Sequence, residues 1–486
     1  MQLVSYGAQD VYISGNPQIT FWKILHKRHT NFAMESIEVT FNGQADFNKR
    51  VTAIINRNAD LMYKTYVQVV LPEVDLKATG TNPGANFRWM HYIGHRLIKQ
   101  VEVEIGGQRI DRQYGDWMQI WTQLATDAGT VRALDSIIGN TPDLCLVKNI
   151  GGAQLNEPCS STENTKSCVG FAGTPAKTLY IPLQFWFCRN PGVAIPLIAL
   201  QYHEVRINVD FETLPNCSYN LSGFASVGSL AAASLYVDYC YLDTEERRRF
   251  AQQSHEYLIE QVQYTGAESI TSSSNKIQLN FNHPVKEIFW VVQRDSFVDC
   301  SDAGAANQYY LGQQPFNYSD DWDVSVGLLS MFTNDETTDA PTVVTTGNVG
   351  NNGNTGNSSN YLLAKLLVDS GVRCDGKNPV EVAKLQLNGQ DRFTEREGSY
   401  FDKVQPYQHH SRCPSTGINC YSFALRPEEH QPSGTCNFSR IDKATLQLTV
   451  SINTVIGSNT AQVRVYGLNY NILRVMSGMG GLAYSN

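Results

Sequence analysis

The chain has 486 residues, 42% apolar and 10% aromatic, more than one ordinary core needs and a fit for two domains of about 200 residues each. Charged residues make up 17%, below the usual quarter, and the formal net charge is −8. No basic stripe suited to releasing counterions from phosphates appears anywhere, which argues against a nucleic-acid binder.

Residues 1–30 read as an arm. Phe21 and Trp22 stand beside Lys23, His26, Lys27, Arg28 and His29, so one short stretch is both aromatic and basic. Two readings stay open: a helix packing its aromatics on the first domain, or an anchor on an acidic partner or lipid headgroups. From Phe32 the period becomes two, with Ile37, Val39 and Phe41 alternating with Glu38 and Thr40, then Tyr66–Leu71 and Leu97–Ile105. Turn signals bound these runs at Asn42-Gly43, Gly106-Gly107 and Asn388-Gly389. One helix is predicted over Tyr114–Ala125, with Trp117, Ile120, Trp121 and Leu124 on a common face. A loop rich in Gly, Asn, Thr and Ser follows, about Thr141–Thr178. Asp243-Thr-Glu-Glu-Arg-Arg-Arg-Phe250 reads as a short linker helix capped by Asp243 with Glu246 three residues on.

After the linker the pattern repeats. Val101–Arg109 is echoed by Ala383–Arg392, Tyr180–Arg189 by Tyr421–Arg426, Val205–Phe211 by Ala444–Val450, and Leu235–Tyr239 by Val463–Tyr466. Four landmarks in one order are what two copies of one β-domain require. Many strands joined by long loops point to antiparallel sandwiches. The expected division is an arm at 1–30, a first β-domain at 31–242, a linker at 243–255, a second β-domain at 256–474 and a tail at 475–486. The second copy carries an insertion at about 295–364. There Asp295, Asp299, Asp302, Asp320, Asp321, Asp323, Asp335, Glu336 and Asp339 meet no Lys or Arg, so this one segment outweighs the net charge of the whole chain. Its Asn- and Gly-rich part, Thr345–Asn357, suits an exposed loop.

Reactive chemistry finds little support. Eleven cysteines, with no C-x-x-C pair, suit reduced thiols. No signal-peptide pattern and no apolar run of about 18 residues is present, so the expectation is a soluble protein made outside the secretory route. Gly371–Lys377 approximates a phosphate loop but is followed by Asn378 and Pro379, and Gly478–Gly481 has no room for a helix after it. His91 and His95 have the spacing of a zinc helix, yet Tyr92 stands where a general-base Glu would be. His26/His29 and His409-His410 lack ligands at a convincing spacing. Asp320-Asp-Trp-Asp323 reads as a solvated acidic loop rather than a calcium site. No catalytic, cofactor or metal residues are assigned. Asn216, Asn220, Asn317, Asn357 and Asn437 stand in glycosylation sequons, a weak signal without a secretory leader.

Several long runs nevertheless resemble one family. Val4–Lys23 continuing through Arg28–Phe32, Asp243–Phe250 with His255–Glu260, His283–Glu287 with Trp290–Val292, and Tyr470–Tyr484 are similar to the major capsid proteins of nucleocytoplasmic large DNA viruses, from end to end of the chain. The resemblance implies an all-β fold of two tandem eight-stranded antiparallel jelly rolls with a few short helices. It implies homotrimeric, pseudo-hexagonal capsomers tiling an icosahedral shell over an internal membrane. Minor capsid and penton proteins would be partners, and assembly would take place in the host cytoplasm. It also places the arm beneath the shell, making Phe21, Trp22, Lys23, Lys27 and Arg28 a candidate inner-face anchor. Side-on packing asks for nearly neutral walls, so the acidic insertion, with the 126–178 loop beside it, is expected to face outward. The alternative from the residues alone is a carbohydrate-binding or carbohydrate-active β-sandwich; a cupin would need clustered His and Glu ligands.

Overall fold

The computed structural model describes residues 7–19, 22, 24, 26–75, 86–145, 148–149, 173–220, 227–298, 313–320, 377–455 and 459–484. Alternation of apolar and polar side chains shapes the strands, because successive residues point to opposite faces. In Leu61–Leu71, Met62, Val67, Val69 and Leu71 are buried while Lys64 faces solvent.

Eight main strands build the first sandwich: β1 Phe32–Thr40, β2 Arg50–Ile54, β3 Leu61–Leu71, β4 Ile98–Ile105, β5 Gln108–Tyr114, β6 Lys177–Pro182, β7 Val205–Phe211 and β8 Ala232–Leu242. They pair antiparallel in two sheets, ordered β1-β8-β3-β6 and β2-β7-β4-β5. The second sandwich uses β9 His255–Ile270, β10 Ser274–Leu279, β11 Pro284–Arg294, β12 Val380–Leu387, β13 Gln390–Asp391, β14 Ile418–Ser422, β15 Ala444–Val450 and β16 Ala461–Met476. Its sheets run β9-β16-β11-β14 and β10-β15-β12-β13. Every strand of the first set thus has its counterpart eight labels later, in the same sheet position. This is a tandem pair of jelly rolls.

The four repeated landmarks fall on equivalent strands. The hairpin β4–β5 turns at Gly106-Gly107 and β12–β13 at Asn388-Gly389, all four residues at positive φ, as a two-residue hairpin turn of this hand demands. Each sandwich closes on its own core, the first around Val67, Val103, Ile181 and Val237, the second around Ile288, Trp290, Leu385 and Leu446.

Two helices matter for the junction. Helix α1, Gly115–Ala125, follows β5 directly, and a Cβ on Gly115 would lie 2.2 Å from the His95 carbonyl oxygen, so only glycine lets the helix start so close. Helix α2, Thr244–Gln252, connects the sandwiches; Asp243 caps it by accepting from the Thr244 N–H, and Arg247 pairs with Asp60 on the first sandwich.

Three expectations change. Residues read as a C-terminal tail contain a strand, β17 Met479–Leu482, which folds back on β16. It also clips to the first sandwich: Tyr202 N–H donates to the Gly478 carbonyl and Leu482 N–H to Gln108 Oε1. The acidic insertion is not wholly outward. Its residues 313–320 turn inward, because Phe316 and Tyr318 are too apolar to remain in water, and both are buried. Asp320, expected in a solvated loop, is buried too and accepts from the Thr454 hydroxyl at 2.6 Å. Residues 299–312 and 321–376, which hold the rest of the insertion and most of the near-match to a phosphate loop, lie outside the described residues, as does most of the 146–172 loop.

Candidate functional site at the junction of the sandwiches

Strand β11 is buried on both faces. Ile288, Trp290 and Val292 enter the second core, while Phe289 and Val291 point the other way and need separate cover. The first sandwich supplies it. Trp117, Ile120, Trp121 and Leu124, the face predicted from helical spacing, pack there against Phe289, Val291, Ile418, Tyr466 and Leu468, with Phe316 and Tyr318 from the insertion. Trp117 stacks on Trp121 at 5.7 Å and meets Phe289 edge-on at 5.1 Å. Asp116, in the first turn of α1, pairs with Arg464 of β16, and the Leu124 carbonyl accepts from Arg412 N–H.

Charges from both copies are sealed into this junction. Glu260 of β9 sits 2.6 Å from Lys286 Nζ and 3.0 Å from Arg189 Nη1, the arginine coming from the first sandwich. Burial alone would raise the Glu260 carboxyl, but Arg189 and Lys286 outweigh it and hold it below its usual value. Arg189 also lies over the Trp121 ring at 4.6 Å. A second cluster joins Glu287 of β11 and Cys420 of β14 to His410, which follows helix α3, Gln405–His409. His410 Nε2 is 2.7 Å from Glu287 Oε1, and its Nδ1 is 2.9 Å from Glu428 Oε1. An open cleft of about 270 Å³ lies beside Trp121, Arg189 and Glu428, and it is smaller than a typical small-molecule site.

Asp111 of β5 is buried at the junction as well. Its Oδ1 accepts from the Val262 N–H of β9 at 3.0 Å, and burial pushes its carboxyl up to about 7 against the donors that favour ionisation. A raised carboxyl favours the fold fully below its ordinary 3.8 and loses that contribution as pH rises through about 7. Asp111→Asn keeps an acceptor for Val262 but never ionises. Melting curves of D111N and wild type should therefore shift in the mutant's favour as pH goes from 5 to 8, by at most about 1.4 kcal/mol per pH unit. A gap that stays constant over this range would refute the raised carboxyl.

The positions singled out from sequence lie elsewhere. Trp22 is 91% exposed, so packing of the arm's aromatics on the first sandwich does not describe it; Lys27 and Arg28 are exposed, and Phe21 and Lys23 lie outside the described residues. Asn437 is exposed. The Nδ2 atoms of Asn216 and Asn317, where a glycan would attach, already donate to Glu212 and Gln314. Asn357 and the Asn220 side chain lie outside the described residues. His95 is buried and bonded to Gln119, its ring pushed down to about 4 by burial, which fits a neutral core histidine. Sequence reasoning passed over Glu428; it named Glu260, Lys286 and Glu287 only within runs that carry the family resemblance, and Arg189 and His410 only as a landmark and as half of a His pair.

Comparison with known proteins bears on the whole chain. Residues 20–243 match the family described as major capsid protein N-terminus, and residues 246–481 the family described as large eukaryotic DNA virus major capsid protein. A major capsid protein of Phaeocystis pouchetii virus is 55% identical over 100% of this chain and 99% of its own length. One from Paramecium bursaria Chlorella virus 1 is 40% identical, with the same coverage. A subunit in the quasi-atomic model of the PBCV-1 virus capsid superposes with a TM-score of 0.66 at 34% identity, covering 96% of this chain and 100% of that one.

Proposed function

Because the chain belongs to the family of large eukaryotic DNA virus major capsid proteins, we propose that three copies of it form a capsomer of hexagonal outline that tiles an icosahedral shell. The protein is a structural component of the virion capsid, not an enzyme. One observation carries the trimer reading: the two jelly rolls have the same strand order, strand for strand. Three such chains present six similar walls, so a three-fold assembly meets six neighbours with nearly equivalent contacts. Large apolar side chains left on the surface of the single chain support it. Phe32 and Met34 on the edge strand β1, and Tyr407 and Leu425 on the second sandwich, are what adjoining copies would cover.

In the same reading the arm lies on the inner face, where the exposed Trp22 with Lys27 and Arg28 would meet minor capsid proteins or the internal membrane, with penton proteins closing the vertices and assembly taking place in a cytoplasmic factory of the host. Sizing chromatography with negative-stain imaging tests the proposal. Purified protein should run as a trimer with a hexagonal outline, and a stable monomer would overturn it. Deleting residues 2–30 should leave trimers intact but impair shell formation; normal shells would remove the arm from assembly.

A further inference from the structure

We propose that Glu287, His410 and Cys420 form a structural zinc site, with Glu428 as the outer residue that orients the histidine. The three ligand atoms lie within 4.8 Å of one another, and each comes from a different element: β11, the segment after α3, and β14. Strand register explains the convergence. Phe289 stands directly opposite Cys420, so Glu287, two residues back on β11, shares their face and sits diagonally across from the thiol.

The donor set has the composition that a borderline-soft divalent cation takes: one carboxylate oxygen, one imidazole nitrogen, one sulfur. The outer arrangement fits as well. Glu428 accepts at His410 Nδ1, which leaves Nε2 aimed at Glu287 and Cys420, and Glu428 is itself held by the Ser411 N–H and hydroxyl. A carboxylate behind a ligating histidine is a recurrent device for fixing its tautomer and ring orientation. A second, independent observation concerns the carboxylate itself. Glu287 is fully buried, and its Oε2 has no hydrogen-bond partner among the described residues. An ion pair with His410 through Oε1 leaves that oxygen desolvated without return.

Charge balances on exchange. Zinc enters as His410 gives up its Nε2 proton and Cys420 its thiol proton, so two protons leave for a dication and the carboxylate and thiolate neutralise it. Tetrahedral zinc needs its ligand atoms about 3.3–3.7 Å apart, so Glu287 must withdraw slightly from its present hydrogen bond to Nε2. A water or the second oxygen of Glu287 would fill the fourth position. Trp121 and Phe289 cover His410, which makes the site a staple beneath α1 and not an open catalytic centre.

The test uses the full chain, expressed with added zinc and, separately, refolded with cobalt. About one zinc per chain should remain after desalting, and the cobalt form should show a thiolate-to-metal charge-transfer band. Cys420→Ser should abolish that band while the protein still folds by circular dichroism, and Glu428→Gln should weaken zinc binding by about 10–100-fold. Wild-type protein that holds no zinc and shows no cobalt–thiolate band would overturn the site, leaving an ion-paired histidine. A band undiminished in folded C420S would place the metal on others of the eleven cysteines and overturn it equally.

Discussion

Alanine at Trp117 should loosen the docking of the two jelly rolls and lower the first unfolding transition by about 3–5 kcal/mol. The indole is fully buried between both copies, against Trp121, Phe289 and Tyr466 at ring separations of 5.7, 5.1 and 5.9 Å. Removing it opens a void whose walls are a helix clamped by β5 and a sheet filled from its other side by the second core, so little collapse can offset the loss. Trp117→Phe separates volume from polarity. The indole nitrogen has no hydrogen-bond partner among the described residues, so phenylalanine sacrifices only part of the packing and should cost about 1–2 kcal/mol. Urea unfolding followed by circular dichroism, with tryptic cutting at the Arg247–Arg249 linker as a probe of undocking, reads both variants. Equal midpoints for wild type, W117F and W117A would show that the rolls are held by something other than this aromatic cluster.

The sequence disclosed most where a physical period repeats locally. Alternation, turn glycines and a helical stripe of two tryptophans are each written within about a dozen residues, and they led to the strands, the hairpins and the docking face of α1. The duplication was legible because both copies keep the same landmarks in the same order. The charges at the junction were not, because their partners are set by tertiary approach. Glu260 meets Arg189 from the other sandwich, and His410 reaches Glu287 from 123 positions away. Lys286-Glu287 in sequence looks like an ordinary exposed pair; only the covering of β11 on both faces makes it an interior one. Phe316 and Tyr318 were hidden in the same way, since the acidity around them suggested a solvated loop. Local composition could not show that two aromatics bring residues 313–320 of that insertion back under α1.

Glu260→Gln should weaken the junction about as much as the loss of Trp117. That carboxylate is 4% exposed and holds the fully buried Lys286 and the partly exposed Arg189, one cation from each sandwich. Glutamine leaves both cations facing each other without the carboxylate they share, and breaking a buried pair in this way costs about 3–5 kcal/mol. Lys286→Met should cost less, because Glu260 keeps Arg189. In the double variant the loss of Lys286 also relieves its repulsion with Arg189, so E260Q/K286M should be more stable than the two single penalties predict. Acid supplies an independent check of sign. A carboxyl held below its usual value favours the fold at pH above its ordinary range and loses that contribution as pH falls through its folded value. Wild type should therefore lose stability in acid faster than the double variant, in denaturation series run from pH 6 to pH 3. Strictly additive penalties, together with parallel acid profiles, would mean that Glu260 and Lys286 do not act on each other, and that apolar packing alone joins the two halves of the subunit.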